Sequence, residues 1–239
     1  MSQETLIEST PSQTLLKFNI PNIDSLFRGF APGEFAVLYS MSTVIPLSLL
    51  LTVRAQLPYQ LGGLETNPIF IDGGNTFRLY EVSHIAQMHQ LDPKQTLQRI
   101  HISRAFTAHQ MAAIILQKLK ETAQRLGSRL ITVSSIAELF LDKDVPAREA
   151  KEIFNQLTVY LSEFAEESGT IIIATDPQHH YSRRHSYLST MICSRAETVI
   201  AVKPARFGKQ FILEKHPTLC LGRAEFPPDN LTLNDFTEA

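Results

Sequence analysis

The chain contains 239 residues, of which 44% are hydrophobic and 19% are charged, and its 22 basic and 24 acidic residues give a formal net charge of −2. These proportions are those of an ordinary globular protein with one large domain, and the net charge excludes any argument for nucleic-acid binding by the chain as a whole, which leaves only a local patch. The chain lacks the apolar run of roughly 20 residues that spans a bilayer and the basic and apolar start of a signal peptide, which predicts a soluble, cytoplasmic protein with no membrane partner.

Apolar segments of strand length alternate with segments of helical period along most of the chain. The first predicted strand covers 34–39, and a helix is predicted from Pro46 because proline is tolerated at the first position of a helix. The second predicted strand, 68–72, is followed by an amphipathic helix over 77–90. This order of strand, turn and helix is typical of a mainly parallel sheet covered by helices.

The same alternation continues towards the C-terminus. A short helical stretch is predicted from Asp92, and Thr107 with Gln110 has the spacing of a capping box for a helix that ends at Gly127. Pro146 is predicted to open a long helix that ends at Gly169. The intervening strands are predicted at 99–103, 130–133 and 170–174.

The last third of the chain has a different pattern. Two strand-like segments, 198–202 and 210–213, are joined by a basic turn that contains Gly208, which predicts an antiparallel hairpin. The predicted fold is therefore α/β, with a mainly parallel central sheet, helices on both faces and a C-terminal antiparallel hairpin. The predicted organisation is an N-terminal extension over 1–19, one core domain over 20–226 and a flexible C-terminal tail over 227–239.

Three short phrases carry a family resemblance. They are IPNIDSLF at 20–27, FIDGGNTFR at 70–78, and SRAF at 103–106 followed by His109 and Gln110. In this order and spacing, the region 20–178 resembles the ATPase core of the RadA-type strand-exchange recombinases of the RecA family. The resemblance implies a RecA-like P-loop NTPase fold.

The resemblance also locates a degenerate phosphate-binding loop. Such a loop has the form G-x-x-x-x-G-K-[ST], because its glycines let backbone N–H groups surround the phosphates, its lysine reaches the β and γ phosphates, and its hydroxyl holds Mg²⁺. In this chain the two glycine positions are Tyr39 and Val44, the lysine position is Ile45, and the hydroxyl position is Pro46. None of these side chains supplies phosphate chemistry.

Two acidic positions of the family are also changed. The acidic residue that ends the metal-proximal strand corresponds to Ser134, and the glutamate that orients the attacking water corresponds to Gly74. We therefore expect no ATP hydrolysis and no cofactor, since phosphoryl transfer depends on positioning and charge neutralisation. An ATPase with an unorthodox site that uses Asp72 is an alternative, and nucleotide binding without hydrolysis stays open.

A DNA-facing loop of the active recombinases corresponds to the segment 179–187, HHYSRRHSY. Arginines neutralise phosphates and tyrosines stack on unpaired bases, so this composition suits single-stranded nucleic acid. A polar loop without a ligand is the alternative reading, and the histidines of the segment lack the spacing of a known metal site. The candidate DNA-binding residues are His180, Tyr181, Arg183, Arg184 and His185.

Two smaller groups have simpler interpretations. Lys203, Arg206 and Lys209 form a basic cluster in the predicted hairpin turn, where a solvated turn is the favoured interpretation over a DNA contact. Cys193 and Cys220 lie in apolar surroundings without the spacing of a zinc or redox pair, and are predicted to be buried thiols.

The leading hypothesis is a non-catalytic RecA/RadA-like paralogue, a pseudo-ATPase that acts as an accessory in DNA recombination or repair. Its expected partners are single-stranded DNA, a RecA/RadA-type recombinase or another paralogue, and a homo-oligomer is also compatible with the sequence. In the resemblance, an aromatic anchor of one subunit docks on the next, and here only the segment 15–18 is a candidate anchor. The alternative hypothesis is a RecA-fold scaffold for protein interactions that binds neither DNA nor nucleotide.

Overall fold

The architecture was obtained from a computed structural model, which describes residues 14–40, 44–177, 182–206 and 208–226. One eight-stranded sheet runs through the described chain in the order β3-β2-β4-β5-β1-β6-β7-β8. The strands are β1 (Phe35–Ser40), β2 (Ile69–Asp72), β3 (His101–Arg104), β4 (Leu130–Ser134), β5 (Ile171–Pro177), β6 (Thr198–Ala205), β7 (Gly208–Lys215) and β8 (Gly222–Phe226).

Neighbouring strands are parallel from β3 to β6, whereas β6–β7 and β7–β8 are antiparallel. The predicted α/β fold with a mainly parallel sheet and a C-terminal hairpin is therefore confirmed. The helices are α1 (Pro21–Leu26), α2 (Ile45–Arg54), α3 (Leu79–Met88), α4 (Pro93–Arg99), α5 (Ala108–Ala113), α6 (Leu119–Leu126), α7 (Ala147–Ser168) and α8 (Arg183–Arg195), with a π-helical turn, Ile114–Lys118, between α5 and α6.

Two hydrophobic cores cover the two faces of the sheet. The first core lies under α1 to α4 and the second under α5 to α8. Apolar residues from β1, β2, β4, β5 and β6 contribute to both cores, because successive strand residues point to opposite faces. The near-continuous apolar strands of the sequence follow from this burial on both sides.

The packed region begins before residue 20. Leu16 pairs with Phe30 through an isolated β-bridge, and Leu16 and Phe18 are fully buried in the first core. Phe18, Phe27, Phe30 and Phe211 form an aromatic cluster with ring centroids 4.8 to 6.2 Å apart. Leu16 and Phe18 of the candidate anchor at 15–18 are therefore buried in the core of their own chain.

The structure corrects two sequence-based predictions. Residues 183–187 were expected in a loop, but they form the first turn of α8, because the Ser182 side chain caps the helix by accepting from His185 N–H while Leu188 and Ile192 anchor it in the core. Cys220 is exposed and Cys193 only partly buried, so the prediction of two buried thiols was wrong for Cys220. Across the described residues, no helix combines the length and apolar character needed to cross a membrane.

Candidate functional site

The carboxyl ends of the parallel strands meet at one edge of the sheet, where open α/β proteins bind ligands. The degenerate phosphate loop follows β1 at this edge, and its residues 41–43 lie outside the described ranges. Val44 is fully buried and Ile45 nearly so, both in the first hydrophobic core. Helix α2 begins at Ile45, so Pro46 is its second residue. The start of α2 is therefore anchored by apolar side chains and presents none with charge.

Tyr39 points to the opposite face of the sheet, against the second core. Its hydroxyl donates a hydrogen bond of 2.5 Å to Glu214 Oε2 in β7. Burial, and then the hydrogen bond to the Glu214 carboxylate, raise the pKa of Tyr39, so the phenol stays protonated. A residue at the first glycine position of the loop therefore ties β1 to the hairpin.

The Asp72 carboxylate, at the end of β2, is fully buried and fully used within the chain. Its Oδ1 accepts from Thr76 N–H at 2.8 Å and from the Thr76 hydroxyl at 3.1 Å. Its Oδ2 accepts from Phe77 N–H at 3.2 Å and lies 3.3 Å from Arg104 Nη2. These contacts fix the turn after β2, which is the structural role that a strand-end aspartate commonly has.

Ser134 ends β4 at the position of the family's acidic residue. Its hydroxyl lies 2.5 Å from the Thr76 hydroxyl and accepts from the Thr175 hydroxyl at 3.5 Å. Thr175 Oγ1 in turn accepts from Ser135 N–H at 3.0 Å. Neutral hydroxyl groups therefore fill the space beside β4 and β5, with Asp72 as the neighbouring carboxylate.

Gly74 lies where the turn after β2 approaches the end of β4. A Cβ atom at this position would lie 2.5 Å from Ser135 Oγ and 2.7 Å from Ser135 Cβ, closer than real contacts allow. Ser135 itself has a left-handed backbone with φ of 53°. A glutamate at position 74, as in the family, would thus require the turn and Ser135 to move apart.

The described residues do not fit a magnesium–nucleotide complex. Ile45 offers no ammonium group for the phosphates, and Ser134 offers no carboxylate for the metal. The Asp72 carboxylate beside Ser134 accepts three hydrogen bonds and pairs with Arg104. These contacts hold Asp72 in the turn after β2.

The candidate DNA-binding residues have unequal surroundings. Arg183 is exposed at the first position of α8, whereas Arg184 donates from Nη1 to Asp142 O at 3.1 Å and from Nη2 to Val145 O at 3.0 Å. His185 is buried, and its Nε2 lies 2.8 Å from Asp176 Oδ1. The prediction of a DNA contact through His185 does not suit this position, because the first turn of α8 directs the ring into the protein. His180 and Tyr181 lie outside the described residues.

The basic cluster of Lys203, Arg206 and Lys209 lies at the tip of the β6–β7 hairpin. Because β6 is parallel to β1 and β1 to β5, this tip lies at the same edge of the sheet as the start of α8. From the sequence, this cluster and Arg183 were predicted as two separate basic groups. The strand order β5-β1-β6 brings them to one edge.

Sequence reasoning missed an apolar surface beside β3, the strand at one end of the sheet. Leu79 and Tyr80 at the start of α3, Ile102 in β3, and Phe106 after β3 are exposed large hydrophobic residues. The available signal was Ile102 directly before the phrase SRAF and Phe106 at its end, since between them Arg104 pairs with Asp72 and Ala105 enters the core. Ile102 and Phe106 therefore add exposed apolar side chains to a strand at the end of the sheet, which another extended segment can pair with.

The fold and the position of the altered loop define a RecA-like α/β core. The chain belongs to the Rad51 family, whose family model matches residues 34–181, more than half of the chain. It is also 29% identical over 135 residues to the DNA repair and recombination protein RadA of Aeropyrum pernix. That match covers 56% of this chain and 39% of the archaeal protein, so the chain spans well under half of that relative's length.

Proposed function

We propose that this chain is a member of the Rad51 family that neither binds nor hydrolyses ATP and that acts as an accessory in DNA recombination or repair. The observation that carries the proposal is that Ile45, Gly74 and Ser134 stand at the carboxyl ends of the strands in place of the family's lysine, glutamate and acidic residue, with Ile45 and Ser134 buried and Gly74 close against Ser135. Restoring one of them alone would leave the other two missing, and phosphoryl transfer depends on all three acting together.

A partner protein is supported by the position of β3, which ends the sheet on one side among the described residues. An edge strand exposes unpaired backbone N–H and C=O groups, which another extended segment can pair with. Here the exposed fractions of the side chains are 41% for Ile102 in β3 and 69% for Phe106 after β3. We infer that a segment of a RadA-type recombinase pairs with β3 and covers these side chains.

A contact with single-stranded DNA is supported by the charge at the carboxyl edge. Arg183 and the hairpin cations Lys203, Arg206 and Lys209 lie on the same side of the β5-β1-β6 strands. Cations at one edge can neutralise successive phosphates even though the net charge of the chain is −2. Arg184 is excluded from this role because its guanidinium holds the loop at 142–145.

The partner half of the proposal is tested by sedimentation of the chain with a RadA-type recombinase from the same source. Ile102→Lys places a charge on β3 and is expected to abolish the complex, while Leu221→Lys, at an exposed leucine next to β8, is the matched control and should leave it intact. Equal binding by wild type and both variants would contradict the role of β3.

The DNA half is tested by binding of a labelled single-stranded oligonucleotide across a salt series. Arg183→Ala is expected to weaken binding and to reduce the slope of log K against log salt by about 0.7, the value for one phosphate contact on a single strand. Arg148→Ala removes a similarly exposed arginine on α7 and is the control. A complex with the recombinase but no salt-dependent DNA binding would favour the alternative, a protein-interaction scaffold without DNA contact.

A further inference from the structure

A cleft of about 810 Å³ lies between α8 and the β6–β7 hairpin. Val199 and Val202 of β6, both buried in the chain's own cores, line it together with Tyr39 and Ser40 at the end of β1. The volume is within the range of small-ligand sites. The helix α8 that forms one wall lies on the face of the sheet opposite α2. The cleft is therefore separate from α2, the helix that follows the degenerate phosphate loop.

A β-bulge shapes the wall formed by the hairpin. Val199 is in register with Lys215 and Ile200 with Leu213, which leaves Glu214 as an extra residue in β7. Consecutive residues of a regular strand point to opposite faces, but with this bulge Glu214 and Lys215 both line the cleft. Bulges commonly re-aim side chains at functional positions.

The two consecutive side chains that line the cleft at the bulge, Glu214 and Lys215, make different contacts. The Lys215 ammonium donates to Ser194 O at 2.9 Å, Ala196 O at 2.5 Å and Cys193 O at 3.4 Å, so its protons hold the end of α8. Glu214 is fixed at Oε2 by Tyr39, while Oε1 lies 3.5 Å from the half-exposed Lys203 ammonium. A carboxylate has about four acceptor positions, and Glu214 therefore keeps acceptor capacity towards the cleft.

The wall formed by α8 also offers acceptors. Ser186 donates its hydroxyl proton to Ser182 O at 3.1 Å, Thr190 donates to Ser186 O at 2.8 Å, and Ser194 donates to Met191 O at 2.7 Å. With their protons used inside the helix, these hydroxyl oxygens present lone pairs to an occupant. Both walls are therefore suited to a group that donates several hydrogen bonds.

The geometry points to a binding site for a guanidinium or primary ammonium group. The cationic group reaches Glu214 of β7 and the hydroxyl oxygens of α8, which lie on the two walls of the cleft. Arginine, with five donors in a planar fork, matches this set of acceptors most fully. The same chemistry has two sources, the arginine or lysine side chain of a partner protein and a free polyamine.

The test is a titration of the ¹⁵N-labelled full chain, followed through the amide signals of the residues that line the cleft. The probes are N-acetyl-arginine amide, a short arginine-containing peptide, spermidine and inorganic phosphate. Saturable shifts with the arginine probes assign the site to a protein side chain, and saturable shifts with spermidine alone assign it to a free polyamine. No saturable shifts of the cleft signals with any of the three cationic probes would overturn the proposal.

Two variants with opposite expected effects separate the site from general surface charge. Glu214→Gln keeps an acceptor for Tyr39 but removes the charge, and should weaken cation binding about tenfold. Lys203→Gln removes the competing cation and should strengthen binding severalfold. Glu225→Gln, at an exposed carboxylate on β8, is the matched control and should change nothing. Equal weakening by Glu214→Gln and Glu225→Gln would overturn the assignment.

Discussion

The hydroxyl groups of Thr76 and Ser134 lie 2.5 Å apart at the ends of the turn after β2 and of β4. Thr76 also donates its backbone N–H and its hydroxyl to Asp72, so one threonine joins the remaining carboxylate of this edge to the serine that stands in place of an acidic residue. Around Thr76 the contacts are made by neutral groups and by the ion pair of Asp72 with Arg104.

Ser134→Asp is expected to destabilise the protein. It would place a second carboxylate beside the fully buried Asp72, and two buried like charges with one arginine cannot both be compensated. We expect a loss of about 2–4 kcal/mol in the free energy of unfolding, measured with urea, against about 1 kcal/mol for Ser134→Ala. Full recovery of Ser134→Asp by Mg²⁺ and ATP would instead reveal a competent metal site.

Gly74→Ala is expected to cost about 1–3 kcal/mol of unfolding free energy, because its Cβ would meet Ser135. Ser135→Gly removes the opposing side chain and suits the left-handed backbone at that position. In the double variant, the cost of alanine at position 74 should therefore fall by about 1 kcal/mol or more. Strictly additive effects in urea unfolding would show that this contact does not limit residue 74.

Arg183 and Arg184 are adjacent in sequence but should respond differently to substitution. Arg184→Ala removes two hydrogen bonds from a cation to the carbonyl groups of Asp142 and Val145, and should cost about 1–3 kcal/mol of stability. Arg183→Ala should change stability by less than about 0.5 kcal/mol while weakening DNA binding. Paired thermal unfolding and oligonucleotide binding would distinguish the two residues, and equal loss of stability in both would contradict the assignment.

His89 should make the protein less stable in acid. Burial, with a smaller contribution from the nearby Arg54 charge, lowers the pKa of His89 from its ordinary value of 6.5 to about 4. Between these values the unfolded chain takes up a proton that the folded chain does not, so stability falls as pH falls from about 6.5 towards 4, by up to about 2 kcal/mol after allowing for solvent screening. His89→Gln should flatten this part of a urea-unfolding pH series, whereas an unchanged slope would exclude His89.

The alternation of strands and helices could be predicted because β1, β2, β4 and β5 are buried on both faces and so consist of apolar runs. The cap at Thr107 was also predictable, and its side chain does accept from Gln110 N–H. Helix α8 was missed because only its narrow stripe with Leu188 and Ile192 is apolar, among arginine, histidine and hydroxyl residues that resemble a loop.

The long-range contacts of the candidate sites could not be predicted from the sequence. Tyr39 and Glu214 are 175 positions apart and meet because the strand order β1-β6-β7 brings their strands close together. His185 reads as an accessible basic residue until α8 directs it to Asp176. The exposed surface beside β3 depends on the strand order, which places β3 at the end of the sheet.

The most direct measurement of the central claim is calorimetric titration of MgATP into the purified chain, with phosphate release assayed on the same sample and a RadA-type recombinase as the positive control. We expect no saturable heat up to millimolar MgATP and no phosphate release above buffer. Saturable binding with phosphate release that is lost in Asp72→Asn would contradict it and identify an ATPase with an unorthodox site.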